Sequence, residues 1–357
     1  MTEEDVTKIK EFLKSNPMIR DSFANQLVEL DTMFRLETPT IREKVTGPLF
    51  DLLYGEDDIL SKTLSDGTKF EFLYRSKIAQ EFAMCSPRSP DHVWEPQTTK
   101  LLLELSKNAS NVVVGGAYFG DHVVPIAKSI KTRGGKVHAF EPNDSQREML
   151  GRNAALNGLD NVIVNAEGLW NVHCSNLEMT GFDAFASPID APGESGGIRT
   201  VRIDEYLRES EGSIPQLIMV DLEGAEFRAL QGAGEILELG AASAPSIVFE
   251  IHSHYVDWSR GLENTDIVAW LESLGYEIFA VRDFNANIAM AHQPVELIPC
   301  RTVYLEGPPH GFNMLAIKRK EILDKDFFRI VPGVSPKLLL GRDPGLHLPL
   351  GGMTKEF

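Results

Sequence analysis

Residues 111–142 read NVVVGGAYFG DHVVPIAKSI KTRGGKVHAF EP, and this stretch decides the fold. Val112, Val113 and Val114 form a short apolar run that stops at Gly115 and Gly116. Gly120 follows, then an amphipathic segment, a Lys/Gly turn and a second apolar run that closes on Glu141. Strand, glycine loop, helix, strand and acid make up the opening of a nucleotide-binding βαβ unit. Glycines let the backbone approach a ligand, and they open a helix whose N-terminus is electropositive. A carboxylate at the tip of the next parallel strand can accept hydrogen bonds from both hydroxyls of a ribose.

The alternation continues downstream. Strands are predicted at 111–115, 136–140, 161–166, 198–203, 216–220, 246–251, 276–281 and 313–317, with helices near 120–131, 145–157, 204–209, 226–237 and 265–274. Short apolar strands separated by helices predict a Rossmann-like, doubly wound, seven-stranded and mostly parallel α/β sheet. Four regions are expected: a helical N-terminal extension (1–62), a strand and loop lead-in (63–97), the α/β domain (98–320) and an extended C-terminal tail (321–357). The helical extension and the tail both suit a homo-oligomer.

Composition narrows the partners. The formal charge is −17, from 52 acids against 35 bases, and no dense Lys/Arg run occurs. Nucleic acid and anionic membrane are therefore disfavoured as partners. Cys85, Cys174 and Cys300 form no CxxC pair, which predicts reduced thiols rather than a zinc site. The opening MTEEDVTKIKEFLK has no apolar stretch of a secretory signal, and no run is long enough to span a bilayer. A cytoplasmic protein is expected.

Ligands of open α/β sheets bind at the carboxyl ends of the strands. There stand Gly115, Gly116, Ala117 and Gly120, then Glu141, Pro142 and Asn143, then Glu167 and Gly168, then Asp221 and Glu223, then Glu250, His252 and His254. Several carboxylates on one edge would repel a pyrophosphate. They suit a ligand with ribose hydroxyls, an amino group and a positive centre, and S-adenosylmethionine has all three.

The run VDLEGAEFRALQGA (220–233) resembles the signature of the FkbM-family methyltransferases, class I S-adenosylmethionine-dependent enzymes. GGAYFG (115–120), the Phe140-Glu141-Pro142 triplet, Glu250 and Leu274-Gly275-Tyr276 are similar to further elements of that family, in the same order. An acid usual near the end of the first strand is replaced by Val113 and Val114. The resemblance implies that Glu141 holds the ribose, that Glu167 and Gly168 border the adenine, and that the backbone of 115–120 contacts the methionine part. It also implies methylation of a hydroxyl, on a sugar of a glycan or of a secondary metabolite.

An alcohol needs an in-line approach and a base. His252 is the first candidate base, with Asp221 and Glu223 as rivals. Some sugar-modifying members of the family use a divalent ion, and Asp221 with Glu250 would supply hard oxygen ligands for Mg2+. Ile251 stands where those members tend to carry a second acid. Trp94, Glu95, Glu250 and His254 are candidate acceptor contacts, and segments 180–197 and 283–312 are candidate lids. Two alternatives remain open at this level: a non-catalytic S-adenosylmethionine-binding scaffold, and a nicotinamide-dependent oxidoreductase sharing the same βαβ opening.

Overall fold

The computed structural model describes residues 2–353 except 36–37, 39, 181–186, 191–196, 211, 307–309 and 324–325. Its strands, in chain order, are β1 (Ile59–Thr63), β2 (Lys69–Leu73), β3 (Asn111–Gly115), β4 (Lys136–Phe140), β5 (Val162–Asn165), β6 (Gly168–Leu169), β7 (Asn176–Thr180), β8 (Ser187–Asp190), β9 (Ile198–Val201), β10 (Leu217–Val220), β11 (Ser246–His252), β12 (Glu277–Val281), β13 (Val295–Pro299), β14 (Gly311–Ile317) and β15 (Phe328–Ile330). Nine of them form one sheet in the order β15-β13-β12-β14-β11-β10-β3-β4-β5. β5, β4, β3, β10 and β11 run parallel, while β14 runs antiparallel between β11 and β12.

Seven of these strands are the expected doubly wound sheet. The other two, β13 and β15, lengthen it at the β12 edge. β13 lies within the segment read from sequence as a lid, because its short VELIP run sits between Pro- and His-containing stretches. β15 lies in the tail.

The parallel strands are continuous apolar runs because helices cover both faces. Along β3 the side chains alternate: Val112 and Val114 join one core cluster, and Val113 joins the other. Helices Pro96–Ser106 and Val123–Lys131 pack on the first face, and Glu226–Gln231 and Asp266–Ser273 on the second. The helix after the glycine loop begins at Val123, later than the spacing predicts.

The chain runs outward from β3 to β4 and β5, then returns to β10 on the other side of β3. That reversal opens a crevice between the carboxyl ends of β3 and β10. Gly116 and Asp221 stand on its two lips.

The N-terminal extension is anchored by charge as well as by apolar contact. Arg42 is buried between Asp31 and Glu81, its guanidinium paired with both carboxylates, and Arg35 meets Glu81 at 3.3 Å. Helix Pro17–Phe34 is thereby tied through Arg42 to helix Lys77–Ala83. A turn at Asp66-Gly67 joins the two strands of the β1–β2 hairpin, with Gly67 at φ 81°. The tail, expected to run extended over the surface, is stitched into the body. β15 pairs with β13, and Lys337 bridges to Asp283. Buried Arg282 donates to Glu296 (2.6 Å), to the Ser335 carbonyl (3.0 Å) and to the Leu346 carbonyl (2.7 Å).

Candidate cofactor and acceptor site

A cavity of about 730 Å³ opens along the carboxyl edge of the sheet. Its floor is built by the ends of β3, β4, β10 and β11, and the N-terminal extension, residues 284–288 and the tail close over it.

The glycine loop is shaped by contact. Gly116 has φ 71°, and a Cβ there would lie 1.7 Å from the Asp221 carbonyl oxygen, so no other residue fits. The Gly116 and Ala117 N–H groups both donate to the Phe140 carbonyl at 3.1 Å, and Gly120 N–H donates to Ala117 at 2.9 Å. The Tyr118 N–H donates to Glu141 Oε2 at 2.8 Å. With these donors used internally, the loop is not an anion cradle. That agrees with a ligand lacking a pyrophosphate.

Gly116 and Ala117 line the cavity, whereas Gly115 and Gly120 do not. Gly115 is buried at the end of β3, where a Cβ would meet Leu169 at 2.7 Å, and Gly120 turns the chain at φ 95°. Glu141 is buried at the tip of β4 and lines the cavity. Its Oε1 accepts from Asn143 N–H at 2.9 Å, so two backbone donors fix the carboxylate's orientation. Pro142 and Asn143 also border the cavity, but the Asn143 side chain caps helix Asp144–Leu156 by accepting from Ser145 and Gln146 N–H. Glu167 and Gly168 line an apolar recess with Leu169, Leu177, Ile198 and Leu222.

Asp221, Glu223 and Glu250 converge at the far side of the crevice. One carboxylate oxygen from each lies within 4.8 Å of the others. Burial, then mutual repulsion and the nearby Glu95 and Glu226, push the pKa values of Asp221 and Glu250 well above the usual carboxylate range. Burial also raises Glu223, whose Oε2 accepts from the Tyr255 hydroxyl at 3.2 Å. Buried Glu226 braces this loop, accepting from Leu222 N–H (2.7 Å) and Gly224 N–H, and burial lifts it to about 7. Gly224, at φ 100°, faces Tyr255 so closely that a Cβ would lie 2.7 Å from the ring.

His252 lines the cavity and is half-buried, and its Nδ1 accepts from His254 N–H at 3.0 Å. Burial, His310 and His254 hold it below the ordinary histidine value, so it is neutral near pH 7. With Nδ1 accepting, the neutral ring carries its proton on Nε2. It therefore presents a donor to the cavity rather than a base. His254 is exposed and lies outside the cavity.

Trp94 and Glu95 both line the cavity. Glu95 is buried, and its oxygens accept from Asn313 Nδ2 (2.7 Å) and Asn285 Nδ2 (3.2 Å). His122 Nε2 lies 3.7 Å from Glu95 and 3.9 Å from Asp121. Burial opposes the His122 charge, but Asp121, Glu95 and Asp221 outweigh it and raise its pKa to about 9. Burial likewise would raise Glu95, yet His122 and Lys337 hold it low. Among the described residues, the non-glycine positions with positive φ are Glu95, Tyr118, Cys174 and Glu223, and all but Cys174 line this cavity. Such backbone strain concentrates where a side chain must be aimed.

Sequence reasoning missed His122, Asp121 and Lys337. The first two directly follow the glycine loop, and that adjacency was the available signal. For Lys337 no local signal exists. Of the two expected lids, most of 180–197 lies outside the described residues, while Phe284, Asn285, Ala286, Ile288, His310 and Gly311 from 283–312 line the cavity.

Fold and site together define a Rossmann-like domain of the methyltransferase type, with its ligand crevice at the β3/β10 reversal. Residues 115–278 match the family model described as the methyltransferase FkbM domain. Among solved structures, the chain is similar to a methyltransferase FkbM from Methylobacillus flagellatus KT, at 17% identity over 58% of this chain and 43% of that one, with a TM-score of 0.34. It thus spans less than half the length of that protein. It is also similar to an rRNA methylase from Streptococcus thermophilus (14% identity, 62% of this chain and 95% of that one, TM-score 0.36). A third is the O-methyltransferase from Bacillus cereus, in complex with SAH (14%, 64% and 84%, TM-score 0.35). No curated protein matches the chain.

Among the described residues, no helix is long and apolar enough to cross a membrane.

Proposed function

We propose that this protein is an S-adenosylmethionine-dependent O-methyltransferase acting on a hydroxyl of a sugar, in a glycan or a secondary metabolite. The observation that carries the reading is Glu141, a buried carboxylate oriented by two backbone N–H groups beside a glycine loop whose Gly116, Ala117, Tyr118 and Gly120 N–H groups are engaged internally. Glu141 takes the ribose hydroxyls. The recess bounded by Glu167, Gly168, Leu169 and Ile198 takes the adenine, and the lip at Gly116 and Ala117 takes the methionine part.

The acceptor hydroxyl lies over Asp221, Glu223 and Glu250. A carboxylate whose pKa burial lifts above the ordinary range is a stronger base there than an exposed one. His252 donates from Nε2 and orients the acceptor oxygen. This reverses the first choice of base made from sequence, because the His254 N–H occupies the Nδ1 lone pair. The same three carboxylates also fit a hard divalent ion such as Mg2+. Bound there, the ion would supply Lewis-acid polarisation of an acceptor oxygen.

The test is titration calorimetry with S-adenosylhomocysteine, followed by methyl release with a panel of sugar acceptors. Micromolar binding and turnover that falls in Asp221→Asn and Glu250→Gln support the reading. Binding of a nicotinamide dinucleotide in place of S-adenosylhomocysteine overturns it.

A further inference from the structure

The cavity is bipolar. Its floor at the sheet edge is acidic, with Glu95, Asp121, Asp221, Glu223 and Glu250. Its lysines and arginines, Lys77, Lys337, Arg35, Arg42 and Arg342, all come from segments outside the stretch that matches the FkbM model, namely the N-terminal region and the tail.

These five are not equivalent. Arg35 and Arg42 are committed to Glu81 and Asp31. Lys337 is half-buried, donates to Asn285 Oδ1 and faces Glu95, Glu250 and Asp283. Lys77 and Arg342 are exposed at the rim, and the described residues give neither an ion-pair partner. Lys77 stands close enough to Lys337 for the two charges to oppose one another. The tail holds Lys337 in place through backbone bonds on both sides: Asp283 N–H to Pro336 (2.9 Å) and Leu338 N–H to Asp283 (2.8 Å). In a chain with net charge −17, cationic side chains that line a cavity without a partner require an explanation. The fold itself gives them none.

We propose that the acceptor carries an anionic group, a carboxylate or a phosphate, which Lys77 and Arg342 grip at the rim while its hydroxyl reaches the acidic floor. The inference rests on the methyltransferase reading above and adds the charge class of the acceptor. Two exposed ion pairs together amount to about tenfold in Kd. Rim charges also make this preference salt-dependent.

The probes are D-glucuronate and its uncharged counterpart D-glucose. Each is titrated into the full chain saturated with S-adenosylhomocysteine and followed by saturation-transfer NMR at low salt. Glucuronate should bind about tenfold more tightly than glucose, and a Lys77→Met/Arg342→Met chain should lose most of that preference. The affinity of the double variant for S-adenosylhomocysteine alone should not change. Equal binding of the two sugars overturns the proposal, and so does a preference that survives in the double variant. Weakened S-adenosylhomocysteine binding in the double variant also overturns it, because the two cations would then serve the cofactor's own carboxylate. Failure of S-adenosylhomocysteine to bind the unaltered chain refutes the methyltransferase reading itself and is thereby told apart.

Discussion

Replacing Gly116 by alanine separates two physical effects that glycine combines. The residue sits at φ 71°, where a side chain is strained, and its Cβ would fall 1.7 Å from the Asp221 oxygen and 2.9 Å from the Asp221 carbonyl carbon. A carbon–oxygen contact relaxes near 3.3 Å, so one lip of the crevice must retreat by about 1.5 Å. Asp221 has little freedom to do so, since its N–H is bonded to Gly115 at 3.1 Å and Val220 is in register with Gly115. Gly134 provides the control: φ is 75° and nothing lies within 4 Å of its added Cβ. Gly134→Ala should therefore cost only the backbone term, about 1 kcal/mol. Gly116→Ala should cost that plus an overpacking term, about 3 kcal/mol in all. Urea denaturation of both variants measures the difference, and S-adenosylhomocysteine calorimetry reads the pocket. The binding loss should be confined to Gly116→Ala. Equal stabilities of the two variants, with unchanged binding in both, would refute the claim that this contact shapes the site.

Three further outcomes are expected. On the proposed reading Glu141→Gln removes the charge that takes the ribose hydroxyls, at about 3 kcal/mol for two such bonds, so S-adenosylhomocysteine should bind about 100-fold more weakly by calorimetry. His122 has a folded pKa of about 9, above the ordinary 6.5, so its stabilisation is complete below pH 6.5 and is lost as pH rises through 9. Thermal melts of the unaltered chain should accordingly fall between pH 6.5 and 9 by more than those of His122→Asn. Arg42→Met leaves buried Asp31 without its cation and Glu81 with Arg35 alone, and should cost about 3–5 kcal/mol in urea denaturation.

The glycine-loop side of the cavity was readable in sequence because its signals are local. A buried parallel strand is a run of β-branched residues, and the residue after it stands at the sheet's carboxyl edge, which places Gly116, Glu141 and Asp221 by counting. What counting cannot give is the use of each group. His252 is in the cavity as expected, yet a single backbone N–H decides which ring nitrogen is free. Asn143 stands at the right edge and is spent on a helix cap. The acceptor side was not readable, because it depends on pairings between distant segments. Lys337 reaches the acids only through the Asp283 bridge, and Glu95 is fixed by Asn313 from β14. The two extra strands escaped for the same reason: each is short and gains its place only from a neighbour already in the sheet.

The insertion of β14 between β11 and β12 also has a consequence for how the molecule is made. Until residues 311–317 emerge, β11 has a bare edge and β12 has nothing linking it to the parallel strands. The same strand places Asn313 opposite Glu250 and against Glu95, and Gly311 opposite His252. During synthesis the two halves of the sheet are therefore joined, and the acidic floor enclosed, in one late event that only the edge strand β15 follows. A nascent chain that has already folded its glycine loop is still without an acceptor site, and its exposed β11 edge is the place where premature pairing with another chain would begin.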